Sequence, residues 1–347
     1  MSGVSKAIVQ PLLDWYDAGH RDLPWRSEPA PYRVWVSEIM LQQTRVEAVR
    51  GYFSRWMNAL PDIPALAAAD EAVYTKLWEG LGYYSRVRNL HRAAVLLCEE
   101  YGGELPADYD RLLALPGVGE YTAGAVASIA FGLPVPAVDG NVLRVAARLD
   151  NNFTPITDAK FKKQTRERFA ALMPSDRPGD LNQSLMELGA TVCLPNGAPR
   201  CADCPIQHLC EGFHRGNAAV LPLRAAKKAR RVENRTVLVV RCGQLVGLRQ
   251  RPKKGLLAGL WELPSLDGHL SPDELRAALT EMDWSVRKLL SLRPAKHIFT
   301  HVEWHMNGVY VELDAPAPAL TFVTPAELRD AYALPSAFRS FVSVLED

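Results

Sequence analysis

Long apolar runs are missing from this chain of 347 residues, and none approaches the roughly 20 residues that a bilayer-spanning helix requires. The opening MSGVSKAIVQ also lacks the charged-then-apolar order of a secretory signal, so a soluble, cytoplasmic protein without membrane partners is expected. A surplus of one charge is absent too. The formal net charge is +1, so a role on a polyanion cannot come from bulk electrostatics and must rest on local cations and helix termini. Cysteine is scarce. Of six, four are packed between Cys193 and Cys210, which excludes a disulfide framework and points to a metal site in a reducing compartment.

What is present is organised around the stretch from Asp108 to Leu149. Asp108 to Ala114 reads as a short helix that Leu115-Pro116-Gly117-Val118-Gly119 stops and turns into a second, Glu120 to Phe131, closed by Gly132. Gly117 and Gly119 can take positive φ and expose consecutive backbone N–H groups at a helix start, a place for a phosphate. Asp139 precedes the helical spacing Val142, Val145, Ala146, Leu149 and stands where an N-cap belongs. From the residues alone, a cap is a sufficient role for it.

Upstream, Lys6 to Tyr16 reads as an apolar-faced helix, and Leu23-Pro24-Trp25-Arg26 as an irregular loop with an aromatic beside a cation. From Tyr32 the chain reads as two helices. The first ends near Leu41, Gln42 and Gln43 occupy the turn, and Thr44 with Glu47 forms a capping box that starts the second at Arg45. Glu38 lies among Val36, Ile39, Met40 and Leu41, neighbours that would desolvate it and raise its pKa, although an exposed helical glutamate is the commoner fate. Ala65 to Glu79 suggests one helix, ended by Gly80-Leu81-Gly82. Tyr83-Tyr84 follow in a loop before a basic helix carrying Arg86, Arg88, His91 and Arg92. Cys193, Cys201, Cys204 and Cys210 suit zinc or an iron–sulfur cluster equally by their thiols.

LPGVGEYTAGAV followed by VDGNVLRV resembles the helix-hairpin-helix and downstream aspartate of the endonuclease III superfamily of DNA glycosylases. SEIMLQQT, unbroken from Ser37 to Thr44, resembles the adenine glycosylase (MutY) branch. The resemblance implies an all-α glycosylase domain in which Glu38 protonates adenine, Asp139 stabilises or captures the cationic sugar, and Gln43 and Thr44 meet the DNA. It further implies that Trp25, Arg26 and Gln183 face the extruded base, and that Tyr83, in GLGYYSRVRNLH, wedges into the duplex. Strand-cutting relatives carry a lysine where Tyr121 stands, and a phenol cannot form a Schiff base. A monofunctional enzyme is therefore expected, with Tyr121 and Asn141 positioning the nucleophile. The spacing C-x2-C-x5-C resembles the family's [4Fe-4S] loop, although seven residues separate Cys193 from Cys201, one more than the family usually has.

Residues 216–235, with Lys227-Lys228 and Arg230-Arg231, read as a basic linker. Beyond it TVLVVRCGQLVGLRQRP alternates and turns at Gly243, and short strands recur near Trp261 and from Val309 to Leu313. This second module is α+β. LLAGLWELP is similar to the start of a Nudix fold, yet the magnesium-binding acidic helix is missing from DELRAALTEMDW. A recognition module is what remains, and the resemblance implies that Phe299-Thr300-His301 inspects 8-oxoguanine, with threonine where the family has serine.

The sequence thus predicts a multidomain protein. Residues 1–215 form a helix-hairpin-helix domain with a [4Fe-4S] loop, 216–235 a linker, and 236–347 a Nudix-like α+β domain. It acts as a monomer on double-stranded DNA carrying A:8-oxoguanine or A:G mispairs. Two rival readings are a DNA-binding sensor without chemistry and a Nudix-type nucleotide hydrolase fused to a helical DNA domain.

Overall fold

Asp108 caps the helix Tyr109–Ala114 by accepting from the Arg111 N–H at 2.9 Å, and Gly117 then reverses the chain with φ 76° before the helix Glu120–Phe131. A Cβ at Gly117 would lie 2.5 Å from the Asn89 Cβ, so conformation and space both demand glycine. Gly119 differs from the expectation. Its φ is −102°, an extended N-cap, because the single reversal at Gly117 already swings the chain round. The computed structural model describes residues 4–223 and 229–345. They divide into one unit of 4–68 with 85–223 and a second of 69–84 with 229–345.

The first unit is helical. Its opening element begins as a 3-10 turn, Lys6–Ile8, and continues as the α-helix Val9–Gly19, whose Leu12 and Leu13 pack with Val145, Leu149, Leu181 and Leu185. The helices Pro31–Leu41 and Val46–Ala59 are separate, but not through the expected capping box. Gln43 takes φ 58°, which turns the Thr44 hydroxyl back to the Gln42 carbonyl at 3.4 Å, while Glu47 pairs with Arg50 at 3.2 Å. Asp139 does cap the helix Gly140–Leu149, accepting from the Val142 N–H at 2.8 Å.

The second unit is a mixed sheet with flanking helices. Its strands are β1 (Arg231–Cys242), β2 (Leu245–Gln250), β3 (Trp261–Glu262), β4 (Ser265–Asp267), β5 (Val286–Ser291), β6 (Ala295–Ile298), β7 (Val302–Leu313) and β8 (Thr321–Val323). The order β3-β2-β1-β7-β5 is extended by β4 on β1, β6 on β7 and β8 on β2, and β1 and β7 run parallel. Val237 and Val239 face a core with Trp304, Phe338 and Phe341; Leu238 and Val240 face Leu275 and Leu279 on the other side. Burial on both faces explains why β1 reads as a continuous apolar run.

Two boundaries differ from the sequence reading. The segment expected to be a linker is structured at both ends: Ala218 and Leu221 are buried and the Ile156 N–H donates to the Leu223 carbonyl at 3.2 Å, while β1 already begins at Arg231. Main-chain pairing with β7 needs no apolar side chain, so residues 231–235, of which Val232 alone is apolar, carry no strand signal. Lys227-Lys228 lie outside the described residues. The helix expected from Ala65 to Glu79 is two, Ile63–Ala67 and Glu71–Leu77, and 69–84 belongs to the second unit. Lys76 Nζ donates to the Tyr332 carbonyl at 3.1 Å and the Leu334 N–H donates to Glu79 Oε1 at 2.7 Å, contacts distant in sequence that local periodicity cannot signal.

Candidate active site

Glu38 sits on the helix Pro31–Leu41 with Val34, Trp35, Val36, Ile39 and Met40 also buried, and is itself 5 % exposed. Burial pushes its carboxyl up to about 7, against a downward pull from the Tyr121 hydroxyl and an upward push from Asp139. Tyr121, near the start of the helix Glu120–Phe131, donates its O–H to Glu38 Oε2 at 2.5 Å and also meets Met186 Sδ at 3.1 Å. Burial, then the charges of Glu38 and Asp139, hold this phenol well above its ordinary pKa, so it stays a donor.

Asp139 is the second carboxyl. Its Oδ1 caps the helix and its Oδ2 accepts from Asn141 Nδ2 at 2.7 Å. A helix start does not by itself leave this carboxyl at its ordinary pKa. Burial raises it, opposed by the Val142 and Asn141 hydrogen bonds and the Arg144 guanidinium. Asn141 Oδ1 in turn accepts from Arg144 NH2 at 2.7 Å, and Arg144 also donates to the Gly189 and Cys193 carbonyls, each at 2.7 Å. A Cβ at residue 189 would stand 2.5 Å from the Asn141 Cβ, so glycine is what lets the helix Pro178–Thr191 press against Asn141.

Glu38, Tyr121, Asp139 and Asn141 line one cavity of about 500 Å³, together with Trp25, Arg26, Gln43, Thr44 and Gln183. That volume lies within the roughly 300–1,000 Å³ of small-molecule sites. Trp25 is buried edge-on against Phe53 with centroids 5.5 Å apart, and Gln43 is exposed on its left-handed turn. Arg26 reaches Glu187 at 2.8 Å and Arg21 reaches it at 2.6 Å. Burial pushes the Glu187 carboxyl up, the two guanidinium groups push it down, and the guanidinium groups prevail. Sequence reasoning missed Arg21, Met186 and Glu187, all on this wall. Met186 and Glu187 sit in the same LNQSLMELGA as Gln183, and a helix turn that brings residue 183 to the cavity also brings 186 and 187.

The remaining candidates lie elsewhere. Gly117 and Gly119 form the hairpin, and a Cβ at Gly119 would meet nothing within 4 Å, so its backbone faces open space. Tyr83 belongs to the second unit, is 47 % exposed and has φ 48°. Phe299, Thr300 and His301 make the turn from β6 to β7, closed by the Phe299 N–H donating to the Val302 carbonyl at 2.8 Å. Phe299 packs edge-on to Trp304 at 4.9 Å, while Thr300 and His301 are exposed. Core packing and turn placement thus coexist in Phe299.

Cys193, Cys201, Cys204 and Cys210 ring a small cavity of about 30 Å³ whose other walls include Val145, Leu149, Val192 and Ile206. Among the described residues no three cysteine, histidine or carboxylate side chains converge to grip a single metal ion. The donor set nonetheless fits a thiolate-bound cluster: Arg148 NH1 stands 3.1 Å from Cys193 Sγ, a buried cation where anionic sulfur would need one. Burial pushes the Cys204 thiol up to about 12 and raises Cys201 and Cys210, as expected of thiols crowded in an apolar setting.

Residues 36–171 match the HhH-GPD superfamily base excision DNA repair protein family and residues 236–344 the NUDIX domain family. The adenine DNA glycosylase of Mus musculus is 38 % identical over 97 % of this chain and 77 % of its own length. That of Mycolicibacterium smegmatis is 41 % identical over 66 % of this chain and 79 % of its own. Among solved structures, a thermostable thymine-DNA glycosylase superposes with a TM-score of 0.54 at 27 % identity, covering 60 % of this chain and 96 % of that one. An endonuclease III trapped as a covalent intermediate with DNA gives 0.51 at 26 %, covering 61 % and 98 %.

Proposed function

Because the chain belongs to the adenine DNA glycosylase family and so is a DNA glycosylase of base excision repair, we propose that it hydrolyses the N-glycosidic bond of adenine mispaired with 8-oxoguanine or guanine. Water serves as nucleophile, and the DNA strand stays uncut. One observation carries the reading: Glu38 and Asp139 open into the same cavity, each with its own hydrogen-bond partner, Tyr121 and Asn141.

The two carboxyls divide the work. Glu38, desolvated and brought to about 7, keeps its proton near neutrality and gives it to the leaving adenine as the C–N bond breaks. Asp139 receives only N–H donors, which favour its ionised form against the upward push of burial, and the charge of that form stabilises the cationic sugar until water adds. Tyr121, fixed as a donor, orients the Glu38 carboxyl. A phenol at this position supports base release without strand cutting. Trp25, Arg26 and Gln183 would hold the flipped purine, and the open backbone at Gly117–Gly119 a DNA phosphate.

Cys193, Cys201, Cys204 and Cys210 would hold a [4Fe-4S] cluster. Hydrolysis transfers no electrons, so the cluster would brace the fold or sense redox state. Phe299-Thr300-His301 and Tyr83 would read the base opposite the adenine. A recognition role for the second unit is supported by its helix Pro272–Glu281, where Glu274 is engaged in a capping box with Ser271 instead of standing free for magnesium. The deciding experiment incubates the protein with end-labelled A:8-oxoguanine, A:G and T:G duplexes. Alkali-labile breaks at the adenine of the first two are expected, with no break before alkali; intact strands after alkali refute the reading.

A further inference from the structure

Glu38 occupies the last turn of its helix, which ends at Leu41, and helix ends fray unless their final carbonyls find donors. No glycine follows to close the helix, since Leu41 is succeeded by Gln42-Gln43-Thr44. A cation takes that part. One terminal nitrogen of the Arg86 guanidinium, reaching across from the helix Ser85–Tyr101, donates to the Ile39, Met40 and Gln42 carbonyls at 2.8, 3.1 and 2.6 Å. The Leu41 carbonyl accepts from the Thr44 N–H at 3.2 Å, so each carbonyl from Ile39 to Gln42 has a donor. Val87, Leu90 and Ala94 are buried on the helix of Arg86 and anchor the backbone from which its side chain reaches. The positive charge also complements the negative end of the Glu38 helix.

The clamp fixes more than a helix end. With its carbonyl held by Arg86, Gln42 extends its side-chain amide to the Thr122 hydroxyl at 3.3 Å, and Gln43 turns left-handed behind it with φ 58°. Thr122 follows Tyr121 in the helix Glu120–Phe131. The Gln42–Thr122 bond therefore runs beside the 2.5 Å bond from Tyr121 to Glu38 and ties the same two stretches of chain together. We propose that Arg86 is a positioning residue for the reaction: by closing the end of the Glu38 helix and fixing the turn after it, Arg86 holds the acid in register with the Tyr121 hydroxyl. It acts through Glu38, so the proposal rests on the reading of Glu38 as the proton donor. The ionisable groups that face Glu38 in the cavity are Tyr121, Asp139, Arg21, Arg26 and Glu187, and substitution of Arg86 leaves all five in the chain.

The test is a double-mutant cycle on the full chain. Single-turnover adenine release from an A:8-oxoguanine duplex, at saturating protein, is followed against pH for the wild type, Arg86→Met, Arg86→Lys, Tyr121→Phe and Arg86→Met/Tyr121→Phe. In Arg86→Met release below neutrality should slow about tenfold, as a misplaced acid would make it. Because a loosened Tyr121 bond no longer favours the ionised Glu38, the descending limb should also rise by about 0.5–1 pH, part of what a lost hydrogen bond to a charged group allows. Arg86→Lys keeps a cation and its donors, so its limb should move in the same direction by less, and it carries the test if the methionine variant does not fold. In the Tyr121→Phe background there is no bond left for Arg86 to hold, and the limb of the double variant should coincide with that of Tyr121→Phe. A limb unmoved in both Arg86 variants, whatever their stability, overturns the positioning role, as does a double variant whose shift is the sum of the two single shifts. A wild type that releases no adenine overturns the reading of Glu38 itself, an outcome distinct from either.

Discussion

Replacing Tyr121 by phenylalanine removes one oxygen from the site and should move the pH dependence of adenine release in a definite direction. Glu38 acts with its proton on, so with its carboxyl at about 7 the wild-type rate should be level below neutrality and fall above it. The Tyr121 hydroxyl favours the ionised carboxyl, holding this midpoint below where burial alone would put it. A hydrogen bond to a charged group is worth about 1.5–3 kcal/mol, and each pH unit of midpoint corresponds to about 1.4 kcal/mol, so the midpoint should climb by about 1–2 pH. For the wild type the ratio of rates at pH 8 and pH 6 is then about 0.1, and for Tyr121→Phe about 0.5–0.9. Single-turnover release from an A:8-oxoguanine duplex gives this ratio directly, and because it compares one protein with itself, any general loss from a misplaced Glu38 cancels. A descending limb that stays put, or shifts to lower pH, refutes the assignment of Tyr121 as the group that tempers Glu38.

Three further outcomes are expected. Gly189→Ala drives a Cβ toward the Asn141 Cβ; overpacking of this kind costs about 1–3 kcal/mol, so a lower urea midpoint and slower adenine release should appear together, and a variant normal in both contradicts the packing described. Glu262→Ala removes a buried carboxylate that accepts from Arg249 at 2.8 Å and Arg251 at 2.5 Å; a loss of about 3 kcal/mol in the unfolding of the second unit is expected, and an unchanged denaturation curve speaks against it. Tyr121→Lys sets an amine in the cavity, and borohydride should trap a covalent protein–DNA adduct accompanied by strand cleavage; absence of any adduct counts against Tyr121 lying beside the sugar.

Much of the site was legible because its parts are local. Glu38 sits in a helix whose apolar neighbours are contiguous in sequence, and the Asp139 cap is written in the residues that follow it. The hairpin glycine at Gly117 announces its own backbone requirement. What was hidden depends on residues far apart in the chain. Glu187 reads as an ordinary helical glutamate until Arg21 and Arg26 arrive from some 160 positions away. The capping box at Thr44 satisfied the pattern, yet the left-handed Gln43 redirected the hydroxyl. Residues 231–235 look like a tether because strand pairing uses the backbone, and 69–84 gives no hint that it docks on the C-terminal unit through Lys76 and Glu79.

The central claim is that Glu38 supplies the proton that releases adenine. It is tested most directly by measuring single-turnover release from an A:8-oxoguanine duplex with Glu38→Gln, alongside the affinity of the same variant for that duplex. The expected result is wild-type-like binding with release slowed by about 10²–10⁴-fold, the usual contribution of a positioned acid. Release within a few-fold of wild type would contradict it and leave the cavity without its acid.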